Sequence, residues 1–208
     1  MLLNINLRED IQKYFPNFEY FNCIESDRFR LDFNLKDNLV GMSQEAFIYF
    51  WLLKSMKENP DGFCGLDVGC GQNIHFSCLG VNDYAGPCHP IYFGSYFPHI
   101  TSQAENIDKI FNHDTFSCII ASHIIEHVND PIIIFRRWAK LLRRNGLIIV
   151  LCPDARYEYK KWDPTHINFF SPNDFERLII NTNKDLLKTE CFNDMHNEFS
   201  ISFCGRRI

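Results

Sequence analysis

Three features are missing from this chain. No apolar run approaches the ~20 residues that cross a bilayer, and no charged-then-apolar leader opens the sequence, so the expectation is a soluble cytoplasmic protein without a membrane partner. No surplus of positive charge exists: 21 Lys and Arg stand against 26 Asp and Glu, a formal net charge of −5. Without a general positive field for phosphate backbones, a bulk nucleic-acid binder is disfavoured. Nor does any pair of the nine cysteines form a CxxC motif. Several of them, Cys118 and Cys152 included, sit in apolar strand-like runs where a free thiol behaves as a small hydrophobe, which suits a reducing cytosol.

What is present suits one domain over residues 1–208, with 46% hydrophobic residues to build a core. Residues 1–58 read as an amino-terminal cover segment and helix, and 59–208 as an α/β core. The chain is organised around Phe63-Cys64-Gly65-Leu66-Asp67-Val68-Gly69-Cys70-Gly71, an apolar run breaking into a glycine turn. A buried strand that delivers its carboxyl end into such a turn lets backbone N–H groups approach a ligand that a side chain would exclude. Taken alone the motif is weak, since tight-turn glycines explain it equally well.

The surrounding chain supports the α/β reading. Ser43 and Glu45 cap an amphipathic helix carrying Phe47, Ile48, Phe50, Trp51, Leu52 and Met56 and ending near Asn59-Pro60. After Gly71 a second strand, Leu79 to Asp83, follows within about ten residues, where a doubly wound fold normally spends a full helix. Pro87, Pro90 and Pro98 then forbid a long helix before His99 to Ser102. Both crossovers are abbreviated, so one sheet face needs cover from the amino-terminal segment or from a partner subunit, with a homodimer left open. Phe116 to Ala121 is a fully apolar strand. Asn129-Asp130-Pro131 starts a helix that Asn145-Gly146 closes, and Leu147 to Leu151 is the next strand. Ser171-Pro172 caps a helix to about Ile180, and Leu187 to Phe192 pairs antiparallel with Phe199 to Cys204.

Three segments, GLDVGCG, FSCIIASHIIEHVNDP followed by WAKLLRRNGLIIVLCPD, and DPTHINFFSPNDFERLI, resemble the class I S-adenosylmethionine-dependent methyltransferases of the small-molecule branch. The resemblance covers most of residues 60–182. It implies a Rossmann-like, mostly parallel seven-stranded sheet with the last strand antiparallel, and S-adenosylmethionine as cofactor. It implies that the turn with Asp67, Gly69, Cys70 and Gly71 cradles the methionine moiety. An acidic residue closing the second strand would bind the ribose hydroxyls; here that is Asp83, or Asn82 beside it. Gln103-Ala104-Glu105-Asn106 resembles the adenine segment, with Gln103 where an aspartate is usual. Ser122 lies at the site mouth.

The reaction needs an acceptor held in line with the activated methyl and a group that takes the acceptor's proton. His166 is the preferred general base, because its aromatic, proline-bearing loop follows the fifth strand, where open α/β sheets place ligands; the plainer alternative is a histidine pinning that loop. His123 is a second catalytic candidate. Were 123–127 helical, His123, Glu126 and His127 would share one face, each able to ligate a divalent ion. Metal-assisted relatives carry ExxEH here and a later histidine, which would be His166, but His123 replaces their glutamate, and a metal is not favoured. The expectation is O-methylation of a small hydroxylated metabolite or a sugar or glycan precursor. The alternatives are a metal-assisted RNA 2′-O-methyltransferase and a catalytically silent methyltransferase-like binding subunit.

Overall fold

The computed structural model describes residues 44–71, 74–75, 77–83, 99–157, 163–195 and 199–208. Seven strands form one sheet: β1 (Gly65–Val68), β2 (Cys78–Asn82), β3 (Ile100–Thr101), β4 (Phe116–Ser122), β5 (Leu142–Pro153), β6 (Leu187–Met195) and β7 (Ser200–Arg207). Their order is β3-β2-β1-β4-β5-β7-β6. Pairing is parallel from β3 through β5, and β7 runs antiparallel to both β5 and β6. The Rossmann-like sheet with its antiparallel last strand is therefore present. The chain adds β2 and β3 on one side of β1 and then crosses to add β4 and β5 on the other, so the order of winding reverses beside β1 and the carboxyl ends of β1 and β4 border a crevice.

Alternation along the strands divides the core between two faces. Ile119, Ala121, Ile148, Val150 and Cys152 point to one, with Phe135 and Trp138 of α2 (Pro131–Leu141). Cys118, Ile120, Leu147, Ile149 and Leu151 point to the other, beneath α1 (Gln44–Glu58). Phe47, Phe50, Trp51, Leu52, Leu53 and Met56 of α1 are all buried there, each such side chain contributing about 1.5–3 kcal/mol on transfer from water. The face expected to need cover thus receives α1. Ser43, its expected cap, and residues 1–42 lie outside the described residues, as does most of the second crossover.

Two expectations need correction. The helix beginning at Asp130-Pro131 ends at Leu141, not at Asn145-Gly146, because Leu142 already pairs with Phe116 as the first residue of β5. Asn145, at φ +67°, and Gly146 instead make a bend inside that strand, where a Cβ on Gly146 would stand 2.9 Å from the Arg143 carbonyl oxygen and 3.0 Å from that of Phe116. Residues 123–127 are not an α-helix. Only Ile125–His127 form a 3₁₀ turn, and His123 precedes it at φ +53°. The start of α2 follows expectation: Asp130 accepts a hydrogen bond from the Ile133 N–H at 3.1 Å, with proline at the first turn.

Candidate active site

At the carboxyl ends of β1 and β2 the glycine turn folds back over its neighbour. The N–H groups of Gly69 and Cys70 donate to the Val81 carbonyl at 2.8 and 3.2 Å. Both turn glycines take left-handed backbone, φ +68° at Gly69 and +54° at Gly71, which glycine adopts without steric cost. Their surroundings differ. A Cβ on Gly69 would come within 2.7 Å of the Ile124 side chain, whereas one on Gly71 would meet nothing within 4 Å among the described residues. Beneath the turn, Asp67 is 1% exposed and its Oδ2 accepts from the backbone N–H of His75 at 2.8 Å, with His75 Nδ1 also 2.8 Å away. Asp67 therefore braces the turn from below, and its carboxylate is directed at His75.

A cleft of about 230 Å³ opens above this turn. Of the cofactor residues expected from sequence, Gly69, Asn82, Asp83, Gln103 and Ala104 line it; Asp67, Cys70, Gly71 and Ser122 are not among its lining residues. Glu105, in the expected adenine segment, lines it as well, and Ser102, Ile124, His127, Val128 and Asn129 join it without a signal in the sequence. Asn129 arrives through a tertiary contact: its N–H and Nδ2 meet Glu105 Oε1 at 3.4 and 3.3 Å, joining segments 24 residues apart that no local pattern links.

His127 belongs also to a second group. Its ring stands edge-on to that of His166, centroids 4.8 Å apart. His127 Nδ1 is 3.2 Å from the Thr165 carbonyl oxygen; a carbonyl only accepts, so this contact needs a proton on Nδ1. Glu126 lies directly before it, 1% exposed. Among the described residues, neither of its carboxylate oxygens receives a hydrogen bond, although His123 Nδ1 stands 3.4 Å from Oε1. Glu126, His127 and His166 each offer a ligand atom within 4.8 Å of the others. Three of the four metal candidates thus converge, and the fourth, His123, directs Nε2 to Gln44 Oε1 at 2.7 Å.

The His166 loop is held by backbone. The N–H groups of Ile167 and Asn168 donate to the Glu126 carbonyl at 3.0 and 2.9 Å, and Asn168 Nδ2 donates to the Val128 carbonyl at 2.6 Å. The His166 side chain, 9% exposed, lies with Nε2 3.6 Å from Asp163 Oδ2. Hydrogen bonds from the Thr165 hydroxyl and then its N–H hold the Asp163 carboxyl below its ordinary range, with a smaller contribution from the two histidines. Tyr157 packs edge-on against Phe199, while Tyr159 and Trp162, the other aromatic wall candidates, lie outside the described residues.

This strand order, with a glycine turn and a crevice at the carboxyl edge of β1, defines the Rossmann-like fold of the class I S-adenosylmethionine-dependent methyltransferases. The profile of the methyltransferase domain family matches residues 44–188, and the chain belongs to that family. Among solved structures it is similar to an S-adenosylmethionine-dependent methyltransferase from Mesorhizobium loti, at 13% identity and a TM-score of 0.53, covering 78% of this chain and 98% of that one. It is likewise similar to one from Archaeoglobus fulgidus, at 12% identity and a TM-score of 0.52, covering 76% and 93%. No curated relative matches the sequence.

S-adenosylmethionine is accordingly the cofactor, and groups of the kinds it needs stand around the cleft. Gly71, beside the cleft, is bare within 4 Å among the described residues. The exposed Asp83 carboxylate beside Asn82 can accept from two vicinal hydroxyls, and Gln103 offers an amide to a heterocycle edge.

Proposed function

We propose that the protein transfers the methyl group of S-adenosylmethionine to a hydroxyl of a small metabolite or of a sugar or glycan precursor. The observation that carries this reading is the double membership of His127, which lines the cofactor cleft and contacts His166. The cofactor supplies a methyl made electrophilic by its sulfonium. The chain's own part is to orient the acceptor and take its proton, for which a hydroxyl, a poor nucleophile while protonated, needs a base. In this reading the His127–His166 pair is that base: the ring facing the acceptor takes the proton, and the other ring with Glu126 stabilises the resulting imidazolium. His166 keeps the role expected from sequence and His127 joins it. Among the described residues the cleft is lined by no Lys or Arg, which favours a small acceptor over an RNA end.

The test is transfer of labelled methyl from S-adenosylmethionine to fractionated metabolites, followed by identification of the methylated atom. The expected product carries the label on oxygen. Single alanine substitutions of His127 and His166 each lower kcat by at least about 100-fold, the usual contribution of a positioned base. A label found on nitrogen, or full turnover in both variants, would overturn the proposal. A folded protein that gives no heat of S-adenosylmethionine binding would favour the silent subunit.

One observation favours a second reading: the buried Glu126 carboxylate without hydrogen bonds, beside two imidazoles. Glu126, His127 and His166 would hold a divalent cation there, and its Lewis acidity would ease loss of the acceptor proton. Dialysis against a chelator, with add-back of Mg²⁺, Mn²⁺ or Zn²⁺, separates the readings; activity that survives chelation excludes this one.

A further inference from the structure

We propose that Gln103 recognises the adenine ring of the cofactor as a hydrogen-bond donor, through Nε2, and that Asn106 and Lys109 are positioning residues that hold its amide in that sense. The inference rests on the cofactor cleft and is independent of which acceptor atom is methylated.

A 3₁₀ turn builds the arrangement. Residues Ala104–Lys109 take this form, in which side chains three positions apart eclipse one another, so Gln103, Asn106 and Lys109 stand in line. Their contacts follow that line: Lys109 Nζ donates to Asn106 Oδ1 at 2.7 Å, and Asn106 Nδ2 donates to Gln103 Oε1 at 3.3 Å. The cation fixes the direction of both bonds. An ammonium carries only donors, so Asn106 turns its oxygen to Lys109 and its NH₂ to Gln103. That NH₂ needs an acceptor, which commits the Gln103 oxygen and leaves its own NH₂ for the cleft.

The neighbouring groups agree. The Gln103 side chain caps no N–H of the turn, and among the described residues its Nε2 has no hydrogen-bond partner. Acceptors of the same segment are in use. The Gln103 carbonyl accepts from the Asn106 N–H at 3.0 Å and the Ser102 hydroxyl at 3.1 Å, and the Ala104 carbonyl accepts from Trp138 Nε1 at 3.1 Å. Gln103 and Ala104 both line the cleft, and the side-chain group they have left for a base edge is a donor. Adenine answers a donor with a ring nitrogen, since its exocyclic amino group only donates. The aspartate usual at this position would only accept and would meet the amino group instead.

Calorimetry of S-adenosylhomocysteine binding to the full chain tests this. Gln103→Met removes the donor at similar volume, and Gln103→Glu keeps the shape but sets an acceptor where Nε2 stood. The wild type should bind most tightly, Gln103→Met about tenfold more weakly, and Gln103→Glu most weakly, because its oxygen faces a ring-nitrogen lone pair. Asn106→Asp still accepts from Lys109 but cannot donate, so the Gln103 amide turns over and presents Oε1. Affinity should then fall about tenfold beside Gln103 and stay unchanged in the Gln103→Met background. Melting temperatures of the ligand-free variants identify any that fail to fold; Lys109→Met, which removes the cation that sets the direction, takes the place of Asn106→Asp in that event. Gln103→Glu binding as tightly as the wild type would overturn the donor assignment, and an Asn106→Asp effect that is absent, or equal in both backgrounds, would overturn the positioning role. A missing heat in the wild type sinks the cofactor reading as well, whereas a different order among the variants sinks this proposal alone.

Discussion

Glycines 69 and 71 share a motif and a backbone conformation but have different neighbours, and substitution should separate them. Gly69→Ala drives a methyl to 2.7 Å from Ile124, against the loop that carries the histidines, so it should lower thermal stability and disturb that loop together. Gly71→Ala meets no atom of the described residues within 4 Å. Its stability cost should stay near the roughly 1–2 kcal/mol of a left-handed non-glycine residue, while S-adenosylmethionine affinity in calorimetry falls at least about tenfold, equivalent to about 1.4 kcal/mol. Glu126 allows the opposite dissociation. A buried carboxylate lacking hydrogen bonds is costly, so Glu126→Gln, with nearly equal volume and no charge, should keep or raise the melting temperature. The same change should lower turnover by about 100-fold if the carboxylate supports the imidazole pair. Melting curves and initial rates on one preparation read both effects.

Elements that place these residues owe their ends to different causes. Helix α2 starts where Asp130 caps the Ile133 N–H and Pro131 supplies a preset φ, all within four consecutive residues. Asp130→Ala should cost about 1 kcal/mol, which in a chain of this size lowers the melting temperature by about 2–4 °C, with S-adenosylmethionine binding unchanged. The end of α2 was not legible in the same way. Asn145-Gly146 has the letters of a helix stop, but Leu142 is claimed by Phe116 on β4, a partner 26 positions earlier. The loop after β4 shows the same limit. Its His, Glu and His fall on a helical period, yet the His123 N–H is taken by Leu151 on β5, which turns the backbone left-handed and confines the 3₁₀ turn to Ile125–His127. A spacing rule presumes the helix it is meant to detect.

Across the whole molecule, carboxylates at and near the surface are held below their ordinary range by their partners. A double hydrogen bond from Arg136 on α2 lowers the Asp185 carboxyl to about 2. Asp174 is lowered first by the Ser171 hydroxyl and then by Arg177. For Glu190, burial alone would raise the carboxyl, and Arg206, Lys54 and Lys188 together overcome it. A carboxyl lowered in the folded state stabilises fully above its unfolded value and loses that contribution as pH falls through the folded value. The contribution of these carboxylates should therefore be constant above about pH 5 and decline between about pH 4 and 2. The decline should be shallow, because pairs at the surface are screened, and 1 M salt should reduce it further. Cofactor binding acts at the same scale. S-adenosylmethionine at 100 times its dissociation constant should add about 2.7 kcal/mol, seen as a rise in melting temperature that a silent subunit with a closed cleft would not show.

Within single stretches, the sequence determined what depends on nearest neighbours: the run from Phe63 into the glycine turn, the capped start of α2, the apolar strand from Phe116 to Ala121, and hence the Rossmann-like class. These are local because a strand's apolar run, a cap and a turn each satisfy their own backbone groups within a few residues. Tertiary structure decided which residues share a site. Glu105 reached Asn129, His166 reached His127, and Gln44 reached His123 only because the parallel sheet brings the ends of β1, β2, β4 and β5 to one edge while α1 crosses the face beside them. Contacts spanning 24 to 79 positions leave no periodic trace, since the hydrogen bonds that form them exist only once the sheet has closed the distance.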